Sequence, residues 1–117
     1  MKFIFSTLAA LLLGLSALPA LAADAVVPNA GIAAIEALGK VNGMALACQQ
    51  LVIVTRARNA VINIAPKTRD NGELFENATN AAFLEQGKGA ACPDTASFVA
   101  ALDEAEKKLR AAFPAAK

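Results

Sequence analysis

The first 22 residues limit what this chain folds into more than any later stretch, because they read as a segment removed before folding. Lys2 opens a short positive region, and Ile4–Leu18 is almost wholly apolar. Pro19-Ala20-Leu21-Ala22 then supplies the small-x-small pattern that signal peptidase recognises. The expected cut lies between Ala22 and Ala23. The apolar stretch is about fifteen residues, short of the roughly twenty that a bilayer requires, and no cysteine follows the cut to carry a lipid. Residues 23–117 are then a single domain with one core. It is expected in the periplasm or secreted, with no stable membrane anchor after cleavage.

Outside the cytoplasm disulfides persist, and this bears on Cys48 and Cys92, which are 44 positions apart. The redox motif Cys-x-x-Cys is missing. Two thiolates without histidine do not close a tetrahedral zinc site. A structural bridge between Cys48 and Cys92 is the expectation. In the chain-entropy picture a loop of this size is worth on the order of 4 kcal/mol, comparable with the whole net stability of a small domain.

What is missing narrows the chemistry. The chain has no His, Trp or Tyr, which excludes histidine-assisted nucleophiles, imidazole metal sites and c-type haem attachment. Ser97 is the one serine after the expected cut, and no cofactor is expected. Without Lys2, basic and acidic residues balance, so no global field favours nucleic acid or an anionic membrane. The aromatic residues of the exported part are Phe75, Phe83, Phe98 and Phe113. Aliphatic and alanine side chains must fill most of the core.

Periodicity predicts helices throughout. Ala23–Asn29 reads as a lead-in. Ile32, Ile35, Leu38, Ala45 and Leu46 can share one face, but Gly39 and Asn42-Gly43 weaken the middle. Two arrangements fit. One helix runs from about Ala30 to Cys48, or a short helix stops at Gly39 and Asn42 caps a longer one reaching Ala65. Val54, Ala57, Val61 and Ile64 form a helical stripe, and Pro66 ends that element. Thr68 or Asp70 caps the next helix, which runs to Gln86 with Leu74, Phe75, Ala78, Ala82 and Phe83 as its inner face and Gly87 as its stop. Asp94 begins the last helix, whose seam is Phe98, Leu102, Ala105, Leu109 and Ala112. Asp103–Lys107, Glu104–Lys108 and Glu106–Arg110 are acid-before-base pairs four apart. Pro114 closes it. The expected architecture is all-α, a small three- to four-helix bundle stapled by one disulfide.

Three groups of side chains invite a functional reading. Arg56, Arg58, Lys67 and Arg69 form a basic stretch suited to an anionic partner, although Arg56 and Arg58 point about 200° apart on a helix. Asp70, Glu73, Glu76 and Glu85 form an acidic series without an Asp-x-Asp-x-Asp-Gly calcium loop, and first-turn acids are ordinary helix chemistry. Asn77-Ala78-Thr79 matches a glycosylation sequon in the middle of a helix.

The block Asn42-Gly43-Met44-Ala45-Leu46-Ala47-Cys48, with Ala65-Pro66-Lys67-Thr68-Arg69, resembles a family of uncharacterised proteobacterial exported proteins. The layout also resembles acid-activated periplasmic chaperones and secreted immunity proteins. That likeness implies an exported helical protein with one disulfide and carries over no functional residue. The expected function is non-enzymatic, a binding or structural module whose partner is another protein or a second copy of itself. A stress chaperone or apolar-ligand binder is the alternative, and an immunity or inhibitor protein a further one.

Overall fold

The computed structural model describes residues 29–115, and the expected export signal, its expected cut and residues 23–28 lie outside them. The described chain forms four helices: α1 (Asn29–Ala47), α2 (Leu51–Ile64), α3 (Arg69–Gln86) and α4 (Thr95–Ala112). The all-α reading holds with four helices, and α1 is continuous. Gly39 and Gly43 do not break it, because both are buried against α3 and serve its packing. Asn42 is no cap. It lies mid-helix and 1% exposed. α1 begins at Asn29, inside the expected lead-in.

The turns explain the boundaries. After α1 the chain reverses through Cys48–Gln50, where the Cys48 amide donates to Met44 O and the Gln50 amide to Ala45 O. Gln49 takes a left-handed φ of 59°, a conformation non-glycine residues seldom adopt. Ala65, held before Pro66, is extended at φ −75° and ψ 147°. Thr68, rather than Asp70, caps α3, its hydroxyl accepting from the Asn71 amide at 3.2 Å. Asp94 caps α4, its carboxylate accepting from the Ser97 amide at 2.7 Å. Gly87 does end α3, but with ordinary right-handed geometry. The positive φ of 102° belongs to Gly89.

α1 is the hub, and the other three helices all pack on it. Gly39 faces Phe75–Thr79 and Gly43 faces Thr79–Phe83, so α1 and α3 run parallel. α2 and α4 run the other way, side by side, with Gln50 near Thr95 and Arg56 near Asp103. Two kinds of layer result. Between α1, α2 and α4 lies an aliphatic core in which Ile35, Leu38, Leu102 and Leu109 are fully buried, with Ile53, Val54 and Phe98 around them. Between α1 and α3 the seam is built from small residues. A methyl placed on Gly39 would lie 2.7 Å from both Ala78 Cβ and the Phe75 carbonyl oxygen.

That seam also holds polar groups the periodicity did not mark. Asn42 Nδ2 donates to Thr79 Oγ1 at 3.1 Å, and Thr79 Oγ1 donates to Phe75 O at 2.8 Å. Asn71 Nδ2 donates to Pro66 O at 3.0 Å and so ties the α2–α3 loop to α3. Gln86 Nε2 donates to Ala90 O at 2.9 Å, bracing the loop that leads to Cys92. The inner face of α3 is therefore Asn71, Phe75, Thr79, Ala82 and Gln86. Leu74 and Ala78 are only half-buried, and Phe83, expected inside, is exposed. The cause is the close approach of α1 and α3, which leaves no room in the seam for a second phenyl ring.

Cys48 and Cys92 form the expected disulfide, with an S–S distance of 2.08 Å. It fastens the α1–α2 turn to the start of α4.

Candidate binding cleft

α2 and α3 both rest on α1 but do not close against each other. The wedge between them is an open cleft of about 550 Å³. Its floor is α1, at Asn42 and Leu46. The α2 wall contributes Arg58, Val61 and Ile62, and the α3 wall Phe75, Glu76, Thr79 and Asn80. The lining mixes apolar side chains with the amides of Asn42 and Asn80, and carries opposite charges, Arg58 on one side and Glu76 on the other.

Helical register extends both walls past the cleft proper. Leu51, Thr55, Arg58 and Ile62 step by four, three and four along α2, and Gly72, Glu76, Thr79 and Phe83 do the same along α3. Residues at such steps line one stripe of a helix. Leu51, Ile62 and Phe83 are 68%, 55% and 45% exposed. Large apolar side chains thus mark both ends of the α2 stripe and the C-terminal end of the α3 stripe. The signal was present in the sequence as two matching spacings, but which stripe faced water depended on how the helices were arranged.

The four basic residues singled out by sequence do not converge. Arg56 turns to α4, bonded to Asp103 at 3.0 Å and to Glu106 at 3.4 Å. The hydrogen bond to Asp103, more than the nearby charge of Glu106, raises its pKa further. Arg58 stands at the cleft. Lys67 is exposed in the α2–α3 loop, and Arg69 pairs with Glu73 at 3.5 Å within α3. Among the described residues neither Arg58 nor Glu76 forms an ion pair.

The acidic series is likewise dispersed. Asp70 sits in the first turn of α3, Glu73 pairs with Arg69, Glu85 pairs with Lys88 at 3.2 Å, and Glu76 stands at the cleft. Among the described residues no group of three or more His, Cys, Asp or Glu side chains could hold a metal ion. Ser97 is exposed in the first turn of α4, its amide engaged by Asp94. In the sequon Thr79 is buried in the α1–α3 seam. Of the three acid–base pairs on α4, Glu106–Arg110 forms at 3.6 Å, whereas Asp103 is taken by Arg56. No helix among the described residues is long and apolar enough to cross a membrane.

No protein-family model matches this chain, and neither a curated protein nor a solved structure matches it. On its own evidence it is a small four-helix protein with one disulfide.

Proposed function

We propose that this protein is a non-enzymatic binding module working outside the inner membrane, in the periplasm or secreted. It holds another protein, or a second copy of itself, through the α2–α3 cleft. The observation that carries this reading is the open groove between α2 and α3, with the exposed Ile62 in its α2 wall and Leu51 and Phe83 exposed on the helical stripes that continue its walls. Apolar surface gathered at one place on a small domain marks a contact site more often than scattered exposure does. The Cys48–Cys92 bond supports export, since such bonds last in oxidising compartments. An immunity or inhibitor role is one form this binding would take.

An apolar small-molecule ligand is the second reading. It draws on the volume of the cleft, which falls within the range of about 300–1,000 Å³ typical of ligand sites.

The test compares the protein with its Phe83→Asp variant, first as bait on an extract of the exporting cells, then by mass in solution over a range of concentrations. Phe83 is outside the core, so the variant keeps the fold. A partner held by the parent and lost by the variant is the expected result. A strict monomer that retains nothing would contradict the reading.

A further inference from the structure

We propose that the α2–α3 face is the contact surface of a symmetric dimer, in which α2 of each copy lies against α3 of the other. This inference rests on the binding reading above and names the partner as a second copy of this chain. Among the described residues the exposed large apolar side chains are Leu51, Val52, Ile62, Phe83, Leu84 and Val99, and only Val99 lies off α2 and α3. Apolar surface gathered on one face calls for a partner, and the charges on that face select it.

The two walls are in register. α2 and α3 run antiparallel and are joined by residues 65–68. Arg58 lies six positions before the end of α2 and Glu76 seven after the start of α3, about 9 and 10 Å above the loop at helical rise. The same offset of one position sets Ile62 level with Gly72 and Leu51 level with Phe83. A two-fold axis running along the helices keeps every residue at its own height and exchanges the walls. Arg58 then faces the partner's Glu76, and Leu51 faces the partner's Phe83. Ile62 meets the open space at Gly72, where nothing lies within 4 Å of the side-chain position. Each contact occurs twice, as an isologous interface requires.

Charge also fixes the orientation. An axis running across the helices would set α2 on α2, bringing arginine to arginine and glutamate to glutamate. Neither Arg58 nor Glu76 forms an ion pair within its own copy among the described residues, so each is open to the other's charge. The rims of the two clefts carry these contacts, and the floors at Asn42 and Leu46 face each other across the hollow between them.

Three forms of the disulfide-intact exported protein test this by mass in solution over a range of concentrations: the parent, Arg58→Glu and Glu76→Arg. Both residues are exposed, so either reversal leaves the core alone. The parent should form a dimer. Each variant alone sets like charges together at both sites and should dimerise about tenfold more weakly. An equimolar mixture of the two variants should recover the parent's affinity, because every charged pair in the mixed dimer is opposite again. A strictly monomeric parent, self-association that neither reversal weakens, or a mixture no tighter than its components would overturn the proposal. If the parent stays monomeric while the extract yields a partner that Phe83→Asp loses, the binding reading stands and the second copy falls.

Discussion

Gly43 of α1 lies beneath Thr79 of α3 with no space for a side chain between them. A methyl on Gly43 would run into the Thr79 carbonyl oxygen and come within 2.9 Å of Ala82 Cβ and the Phe83 nitrogen. These are backbone and Cβ atoms, which yield only if the helices separate. Gly43→Ala should therefore cost about 2–3 kcal/mol despite the better helix propensity of alanine. Gly72 supplies the control, since nothing lies within 4 Å of its side-chain position. Gly72→Ala should stabilise by about 0.5–1 kcal/mol. Urea unfolding of both variants checks the pair of signs.

The same seam depends on a buried hydrogen bond. Thr79→Val removes the acceptor of Asn42 Nδ2, and Asn42 Oδ1 already lacks a partner. An amide left wholly unpaired in the interior should cost about 1–3 kcal/mol. Adding Asn42→Ala to Thr79→Val should then destabilise by less than the two single effects together, because the stranded amide is gone. Additive losses in a double-mutant cycle would mean that the pair contributes nothing of its own.

Asp94 gives the fold a pH dependence of known sign. Hydrogen bonds from Ser97 lower its pKa below the ordinary aspartate value. A carboxyl of that kind stabilises the folded state fully above its unfolded pKa, about 3.9, and the contribution is lost as pH falls through the folded value. Asp94→Ala should lower the melting temperature at neutral pH. The gap from the parent should narrow on acidification through that window and not at higher pH. Melting curves across an acid series measure it.

Removing the disulfide should be the largest single loss. Cys48 and Cys92 close a loop spanning 44 positions, and the double change Cys48→Ala with Cys92→Ala should cost on the order of 3–4 kcal/mol. Equal melting temperatures with and without reductant would refute a structural role. A thiol count on unreduced exported material should find both sulfurs blocked.

Much of this fold was written locally in the chain. Pro66, Thr68, Asp94 and Pro114 act on their immediate neighbours, so the ends of α2, α3 and α4 follow from short-range chemistry. The seam of α4 was legible because Phe98, Leu102, Ala105 and Leu109 are large or regularly spaced apolar residues on an otherwise charged helix. Gly39 and Gly43 were ambiguous for the opposite reason. Glycine weakens an isolated helix, and only the arrival of α3 turns that weakness into a close fit. Their separation of four, matched by Ala78 and Ala82, was the available sign.

Phe83 and the buried polar residues share that cause. A seam this narrow excludes a phenyl ring and admits Asn42 and Thr79, which periodicity assigns to no face. The cleft lay beyond local reading altogether. It exists because α2 and α3 diverge over α1, a relationship between helices that no single stretch of sequence encodes.

A photo-crosslinking residue placed at Ile62, inside the cleft, and separately at Lys108, beside the α1–α4 groove, tests the proposed binding site. Illumination of cells exporting each form should give a discrete adduct with one partner from position 62 and none from position 108. Equal adducts from both positions, or no adduct from position 62, would contradict a binding surface between α2 and α3.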